Sequence, residues 1–354
     1  MKILIDIGHP GHVHYFRNFI KILEGNGHDF LIIAKDRNIT YELLNYFDIP
    51  FVKRKDFPSS LIGKLVNIPI TDIFVLKHAL RFKPDIMMGF SGTHIAHAGK
   101  MLNIPSIVID DTEHATLAHW SYKPFADVIL TPTCFFKDFG KKQIRFRSFT
   151  ELFYLHNNYF KPNPTVLDLL GLKENDDFAI VRFVAWNASH DVRENGLTNI
   201  EKIDLVNYLS RRMKVFITSE GSIPVELQGF QFNIPSNYLH DALFYAKLYV
   251  GEGGTTASEA AVLGTPSIYM NNLTMGYIKE EMDCGLLFQS VVIDEVKRFI
   301  DNLIILNDEE LISRRNKLLD NKIDPTKFLM WFFENYPESA KIMKSNPDYQ
   351  DNFK

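Results

Sequence analysis

GEGGTTASEAAVLGTP, residues 251–266, is the stretch on which the fold turns. It follows a short apolar run, LYV at 248–250, and passes through Gly253 and Gly254 into a helical segment whose first turn holds Thr255, Thr256 and Ser258. Glycines let a ligand approach the backbone, and the first N–H groups of a helix have no partner inside it, so this turn is a ready cradle for phosphate. Glu259, one turn further in, carries a carboxylate that can accept two hydrogen bonds from a ribose diol. Gly264 and Pro266 then stop the helix. The plainer alternative is an ordinary strand, turn and capped helix with Glu259 in water.

Outward from this turn, short runs rich in Ile, Val and Phe alternate with segments of helical period. The first series is KILIDI, a helix over 15–25, DFLIIA, a helix over 39–47, PDIMMGF, PSIVID and DVILTP. A second series begins beyond the proline-containing stretch 161–164: FAIVRFV, a helix over 202–211, MKVFITS, FNIP, a helix over 237–245, LYVGEG, a helix over 255–263 and PSIYM. Alternation of this kind means parallel sheets wrapped by helices, in two βαβ-type halves. Helices over 293–306 and 325–334 follow, and the polar tail from Pro337 is expected to be weakly ordered.

Ligands of open parallel sheets sit outside the carboxyl ends of the strands, so the turns leaving each strand carry the candidates. After the first strand come Gly8, His9, Gly11, His12 and His14. His12 is the candidate base, because an imidazole titrates near neutral pH and can take a proton from an acceptor hydroxyl. The His-x-x-His-x-His spacing could instead hold a metal, but no carboxylate pair completes a ligand set, so none is expected. The PSIVID strand exits into Asp110, Asp111, Glu113 and His114, where one aspartate could orient His12 or all three acids could complement a helix dipole. Ser91 and Gly92 form a smaller turn of the same kind. Arg182, Ser189 and His190 could reach phosphate oxygens.

Composition narrows the classes. A chain of 354 residues exceeds what one hydrophobic core serves, and 46% hydrophobic with 23% charged residues is a globular composition, which excludes disorder. The net charge of −4 gives no global reason to bind nucleic acid, so none is expected as a partner. Cys134 and Cys284 are too few for a disulfide scaffold, which fits a reducing cytoplasm. The apolar stretch 260–278 is interrupted by Gly264, Pro266, Asn271, Asn272 and Gly276, and is rejected as a membrane span. Lys137, Lys141, Lys142, Arg145 and Arg147 could meet an anionic membrane or a phosphorylated acceptor, but a charge run is more often a solvated face. The stretch 57–76 is apolar without a clean period, and reads as a loop that touches an acceptor or a membrane, or as buried packing.

These residues resemble a known group. The run LHDALFYAKLYVGEGGTTASEAAVLGTPSIYM, 239–270, resembles the donor-binding segment of GT-B glycosyltransferases. The likeness is strongest to the lipid-linked N-acetylglucosaminyltransferase of peptidoglycan synthesis and to non-hydrolysing nucleotide-sugar 2-epimerases; Gly253, Thr256, Ser258 and Glu259 fall on matching positions. GHPGHVH at 8–14 resembles that transferase's first glycine-rich loop, with His12 on the histidine after its glycines and His9-Pro10 where the transferase has more glycine. DDTEHATLAHWSYKPFADVILTP at 110–132 resembles its next cleft-lining segment. Taken with VRFVAWNASHD at 181–191, the whole chain is similar to domain of unknown function family 354.

The resemblance implies an α/β protein of GT-B type, with two Rossmann-like domains whose parallel sheets face a central cleft. The expected domains are 1–160 on the acceptor side, 161–324 for the nucleotide sugar, and 325–354 as a helix and tail packing back on the first domain. The implied activity is metal-independent transfer of a sugar from a nucleoside-diphosphate sugar, UDP among the nucleotides, to a glycan or lipid-linked acceptor. The sugar donor is a substrate, and no cofactor is expected. A 2-epimerase or hydrolase on the same fold, and a non-catalytic nucleotide-sugar-binding protein, are the alternatives. The implied location is cytoplasmic, with peripheral contact at the inner face of the membrane left open.

Overall fold

The computed structural model describes residues 1–55, 61–173, 175–184, 196–232 and 234–354, with the side chains of 61–66 left outside that description. The expected ligands Ser189 and His190 lie outside the described residues. The chain divides into two compact units, Met1–Tyr159 with Asn321–Lys354, and Phe160–Asp320.

The first unit opens with β1 (Lys2–Ile7), α1 (Pro10–Gly25), β2 (Asp29–Lys35), α2 (Asn38–Tyr46), β3 (Val52–Arg54), α3 (Leu61–Phe82) and β4 (Ile86–Phe90). It continues with α4 (Thr93–Leu102), β5 (Ser106–Ile109), α5 (Thr116–Tyr122), β6 (Val128–Pro132), β7 (Gln143–Phe146) and α6 (Leu152–Leu155). All strand pairs are parallel, in the order β3-β2-β1-β4-β5-β6-β7. In β1 only Lys2 is exposed, because helices cover both faces of the sheet and a strand so placed must be apolar throughout. Leu4, Ile33, Met87, Val108 and Ile129 of the sheet pack with Val75, Ala79, Ile95 and Ala98 of α3 and α4.

The second unit holds α7 (Thr165–Leu169), β8 (Phe178–Phe183), α8 (Asn199–Ser210), β9 (Lys214–Ser219), α9 (Leu239–Tyr245), β10 (Leu248–Gly251) and α10 (Gly254–Leu263). β11 (Ser267–Tyr269), α11 (Gly276–Asp283), β12 (Leu287–Gln289), α12 (Ile293–Leu303) and α13 (Asp308–Leu319) follow. Its sheet runs β12-β11-β10-β8-β9, also parallel. Val181, Ile217, Val250 and Ile268 make its core with Leu205 of α8 and Val296 and Ile300 of α12. Two parallel sheets wrapped in this way give the α/β fold of GT-B type.

Three expectations are corrected. The stretch 57–76 is not a loop from Leu61 onward: it enters the 22-residue helix α3. Its period is blurred because apolar side chains lie on both sides, Val75 and Ala79 buried, Ile70, Ile73 and Leu80 exposed. No strand forms over FNIP among the described residues, where Gln231 alone bridges to Ile217. The tail from Pro337 is ordered, with α14 (Pro325–Glu334) followed by α15 (Glu338–Ser345) and a 3-10 turn over Pro347–Phe353. Buried Ala340 and Met343, with Tyr349 stacked on Trp331 at 4.7 Å and Phe353 tilted against it at 5.3 Å, supply the apolar contact that its polar composition concealed. Among the described residues no helix is long and apolar enough to cross a membrane.

Candidate functional site

In a doubly wound sheet the chain reverses its direction of progress at one point, and the strand ends flanking that point splay apart to leave room for a ligand. In the second unit the reversal falls between β8 and β10, in the first between β1 and β4. The candidate loops gather at these two places.

At the first of them, Gly251 ends β10 opposite Arg182 of β8. A Cβ on Gly251 would lie 2.3 Å from Tyr249 Oη and 3.0 Å from the Arg182 carbonyl, so only glycine lets the two strands lie this close. Helix α10 then starts at Gly254, with Gly253 as N-cap and no side chain capping it. Its first N–H groups are therefore left for an anion, aided by the positive end of the helix dipole. Thr255 is exposed there and Gly253 and Gly254 half-buried. The Arg182 guanidinium, about a quarter exposed, is bound to Glu220 at 2.9 Å and to Thr218 at 3.4 Å. Glu252, between Gly251 and Gly253, is buried and accepts the amides of Val184 and Leu197, each at 3.0 Å.

The side chains deeper in α10 turn inward. Ser258 is fully buried and donates to Glu281, and Glu259 is buried with its Oε1 3.0 Å from His240 Nε2. Neither side chain stands in water, and a ribose diol would have to share the Glu259 carboxylate with His240. Thr256 is buried as well. The space beside Gly254 is filled in part, since a Cβ there would lie 2.8 Å from Met275 Cε.

At the reversal between β1 and β4, His9 caps α1 by accepting the Gly11 amide at 3.2 Å. His12 Nδ1 accepts the Gly8 amide at 3.2 Å. A neutral imidazole with an occupied Nδ1 lone pair carries its proton on Nε2, so His12 is arranged as a donor, not as the base its sequence position suggests. Burial, then His9 and Arg37, hold its pKa well below the ordinary range and keep the ring neutral. Phe90, at the end of β4, packs on this ring at 4.9 Å. His14 is buried among Tyr154 and Phe47 with Arg17 on its Nδ1, a packing position.

The acidic cluster after β5 is a hydrogen-bonded knot. Asp110 accepts from Ser91 Oγ at 3.1 Å, the Thr112 amide at 2.9 Å and Tyr122 Oη. Asp111 accepts from Thr112 Oγ1 at 2.9 Å and from Thr150 Oγ1. Burial pushes both carboxyls up to about 6. Glu113, also buried, accepts the Phe136 amide at 3.1 Å, and His114 lies in the turn before α5. Besides His119, whose Nε2 lies 3.5 Å from Asp110, these partners are hydroxyls and amides, and it is the Gly8 amide that orients His12. Ser91 has a positive φ of 47°, and Gly92 is the N-cap of α4.

The basic cluster is largely bound to its own chain: Lys142 donates to the carbonyls of Lys123 and Pro124, Arg145 to those of Phe135 and Lys137, and Arg147 pairs with Asp348 and Asp351. Among the described residues no group of three or more His, Cys, Asp or Glu is arranged to hold a metal ion.

One constellation the sequence did not suggest lies beside the β4 turn. Asp72 of α3 binds His94 Nδ1 at 2.7 Å and His97 Nδ1 at 2.8 Å, and His97 Nε2 meets the Ser121 carbonyl at 2.9 Å. Burial pushes the Asp72 carboxyl up, but the two imidazole contacts outweigh it and the net shift is down. The same bond to Asp72, against burial, raises His97. Only the i, i+3 spacing of His94 and His97 on one helix face hinted at it; the carboxylate comes from another helix.

Comparison with known proteins fits this architecture. The uncharacterized protein MJ0665 of Methanocaldococcus jannaschii is 24% identical over 281 residues, covering 76% of this chain and 81% of that protein. The UDP-GlcNAc 2-epimerase of Neisseria meningitidis, solved with UDP-GlcNAc bound, superposes with a TM-score of 0.67 at 14% identity, over 98% of this chain and 99% of its own. The spinosyn rhamnosyltransferase SpnG superposes with a TM-score of 0.59 at 14% identity, over 91% and 95%. At such identities the likeness is one of fold. The family profile described as protein of unknown function (DUF354) matches residues 1–330, and the chain belongs to that family.

Proposed function

We propose that this protein is a glycosyltransferase that takes a nucleoside-diphosphate sugar as donor and a hydroxyl of a glycan or lipid-linked molecule as acceptor. The observation that carries the reading is the uncapped N-terminus of α10 at the strand reversal of the second unit, with Arg182 on the adjacent strand end. The helix supplies backbone N–H donors and a positive dipole end for the diphosphate, and Arg182 can exchange the exposed Glu220 for a phosphate oxygen. Backbone donors and one guanidinium hold such an anion without a metal. Fold neighbours that act on UDP-sugars, including one solved with UDP-GlcNAc, support the choice of donor.

The burial of the carboxylates favours transfer over 2-epimerisation. Epimerisation removes a carbon-bound proton beside the anomeric centre and calls for an accessible carboxylate, whereas Asp110, Asp111 and Glu113 are buried and hydrogen-bonded. The test is a thermal-shift screen against uridine, guanosine, cytidine and thymidine diphosphates and their sugars, where a ligand at 100 times its Kd stabilises by about 2.7 kcal/mol. Arg182→Gln should weaken the preferred nucleotide by about 10- to 100-fold in calorimetry, the worth of one charge-assisted contact. Unchanged affinity in that variant removes Arg182 from the site, and absence of any stabilising nucleotide defeats the donor reading.

A further inference from the structure

The basic residues after β6 gather at a place of their own in the first unit. Between the chain leaving β6, the edge strand β7 and the tail around the end of α15 lies a cavity of about 760 Å³. Lys141, Arg145, Arg147 and Lys344 line it, together with Asp138 and Asp348, and all of them belong to that one unit. Its volume falls within the range of small-molecule sites, about 300–1,000 Å³. Four cations face two carboxylates here, in a chain whose net charge is −4, so the positive excess is local.

Arg145 shows how the site is built. Its Nη1 donates to the carbonyls of Phe135 at 2.5 Å and Thr133 at 3.4 Å, and its Nη2 donates to that of Lys137 at 2.9 Å. Carbonyl dipoles hold the guanidinium in place without cancelling its charge, and among the described residues no carboxylate pairs with it. The carbonyls take three of its five N–H groups, which leaves Nε–H and one N–H of Nη2. Gln143 braces the same loop, donating to the Lys137 carbonyl at 3.1 Å and accepting the Phe139 amide at 2.7 Å. The fork is thus held by its own chain, and ordering it costs a ligand little.

The other charges divide into those already engaged and those that are not. Asp138 accepts the Gly140 amide at 2.7 Å, and Arg147 pairs with Asp348 and Asp351 of the tail at 3.2 and 3.3 Å. Lys141 and Lys344 are exposed, and among the described residues neither is in an ion pair. Lys344 stands in the last turn of α15, so an anion shared with Arg145 joins β7 to the tail.

We propose that this cavity binds a phosphate monoester, gripped by Arg145 and neutralised by Lys141 and Lys344. Such a group carries a charge of about −1.5 to −2 at neutral pH and three acceptor oxygens, which matches the two surplus cations and the two open N–H groups of Arg145. The ester is that of a soluble molecule or of a lipid headgroup. The site stands independently of the nucleotide-sugar reading.

The test uses the full chain, with inorganic phosphate as the probe. In ¹⁵N-arginine-labelled protein, with the Arg145 Nε–H signal assigned by its loss in Arg145→Lys, phosphate at constant ionic strength should move that signal saturably. Lys141→Gln combined with Lys344→Gln, two exposed changes that break no ion pair, should raise the half-saturating concentration by about 3- to 10-fold. Phosphate should also slow hydrogen exchange over 337–354, more in the wild type than in the double variant. A shift that does not saturate, one that chloride reproduces, or a half-saturation unchanged in the double variant overturns the proposal. Flotation with phosphatidylcholine vesicles carrying phosphatidic acid separates the two sources. Co-flotation that is lost in the double variant assigns the lipid headgroup, and phosphate binding without co-flotation assigns a soluble ester. Equal flotation with phosphatidylglycerol, a diester, shows charge attraction alone and overturns the preference for a monoester.

Discussion

Asp110 has no exposed surface, and burial outweighs its hydrogen-bond donors to place its pKa at about 6. A carboxyl raised above its unfolded value of about 3.9 binds a proton more tightly in the folded state, so its contribution to stability is full below that value and fades as pH rises through 6. Asp110→Asn has no proton to lose. Its stability relative to wild type should therefore improve from pH 4.5 to pH 7, read from urea midpoints of both proteins; a difference independent of pH refutes the shift. Glu259→Ala removes the carboxylate 3.0 Å from the buried His240 Nε2 and should cost about 1–3 kcal/mol, with Glu259→Gln costing less. Equal melting of wild type and Glu259→Ala would show that the pair contributes nothing. The roles of single residues were the least legible part of the sequence. The glycine-rich turns at 8–14 and 251–266 stood out because their signal is local, but sequence order does not say what meets a side chain. Asp72 and His94 come from different helices, and the donors that hold Asp110 come from Ser91, Thr112 and Tyr122.

Elements were legible where their periodicity was simple. The long apolar strands and the glycine-bounded α10 could be read directly, yet the orientation of α10 could not. Every residue from Thr256 to Leu263 is buried, so the helix has no polar stripe to mark an outward face, and Ser258 and Glu259, which read as facing a cleft, are turned inward. Helix α3 was hidden for a related reason, its apolar residues lying on both exposed and covered sides. Close approach is the constraint at the end of β10. Gly251→Ala would force Tyr249 and the Arg182 backbone to shift and should cost about 1–3 kcal/mol, whereas Thr255→Ala, at an exposed position, should stay within about 0.5 kcal/mol. Chemical denaturation of the two variants distinguishes a packing constraint from a general sensitivity of the turn.

At the scale of the whole molecule, the first unit is discontinuous. Ile323 donates its amide to the Arg147 carbonyl, and Ser148 donates to the Ile323 carbonyl. Asp324, almost fully buried, caps α14 and accepts from Asn158 and Tyr159. Phe333 meets Phe19 of α1 at 5.3 Å, and the Arg147 amide reaches Gln350. Removal of 337–354 should therefore abolish hydrogen-exchange protection in β7 and α14 while β8 to β12 keep theirs; retained protection in β7 would show that the tail merely rests on the surface. This arrangement also sets a timetable for synthesis. A ribosome delivers residues 1–159 first, but the segment that seals their helices follows only after the second unit has emerged. The unit begun first is thus finished last, and Phe19 and Phe146 must wait for Phe333 and Phe328 through about 160 residues of elongation. The nascent chain is most exposed to mispairing and to chaperones during that interval, and a stall in translation before the segment from Asn321 has emerged would strand an open first unit.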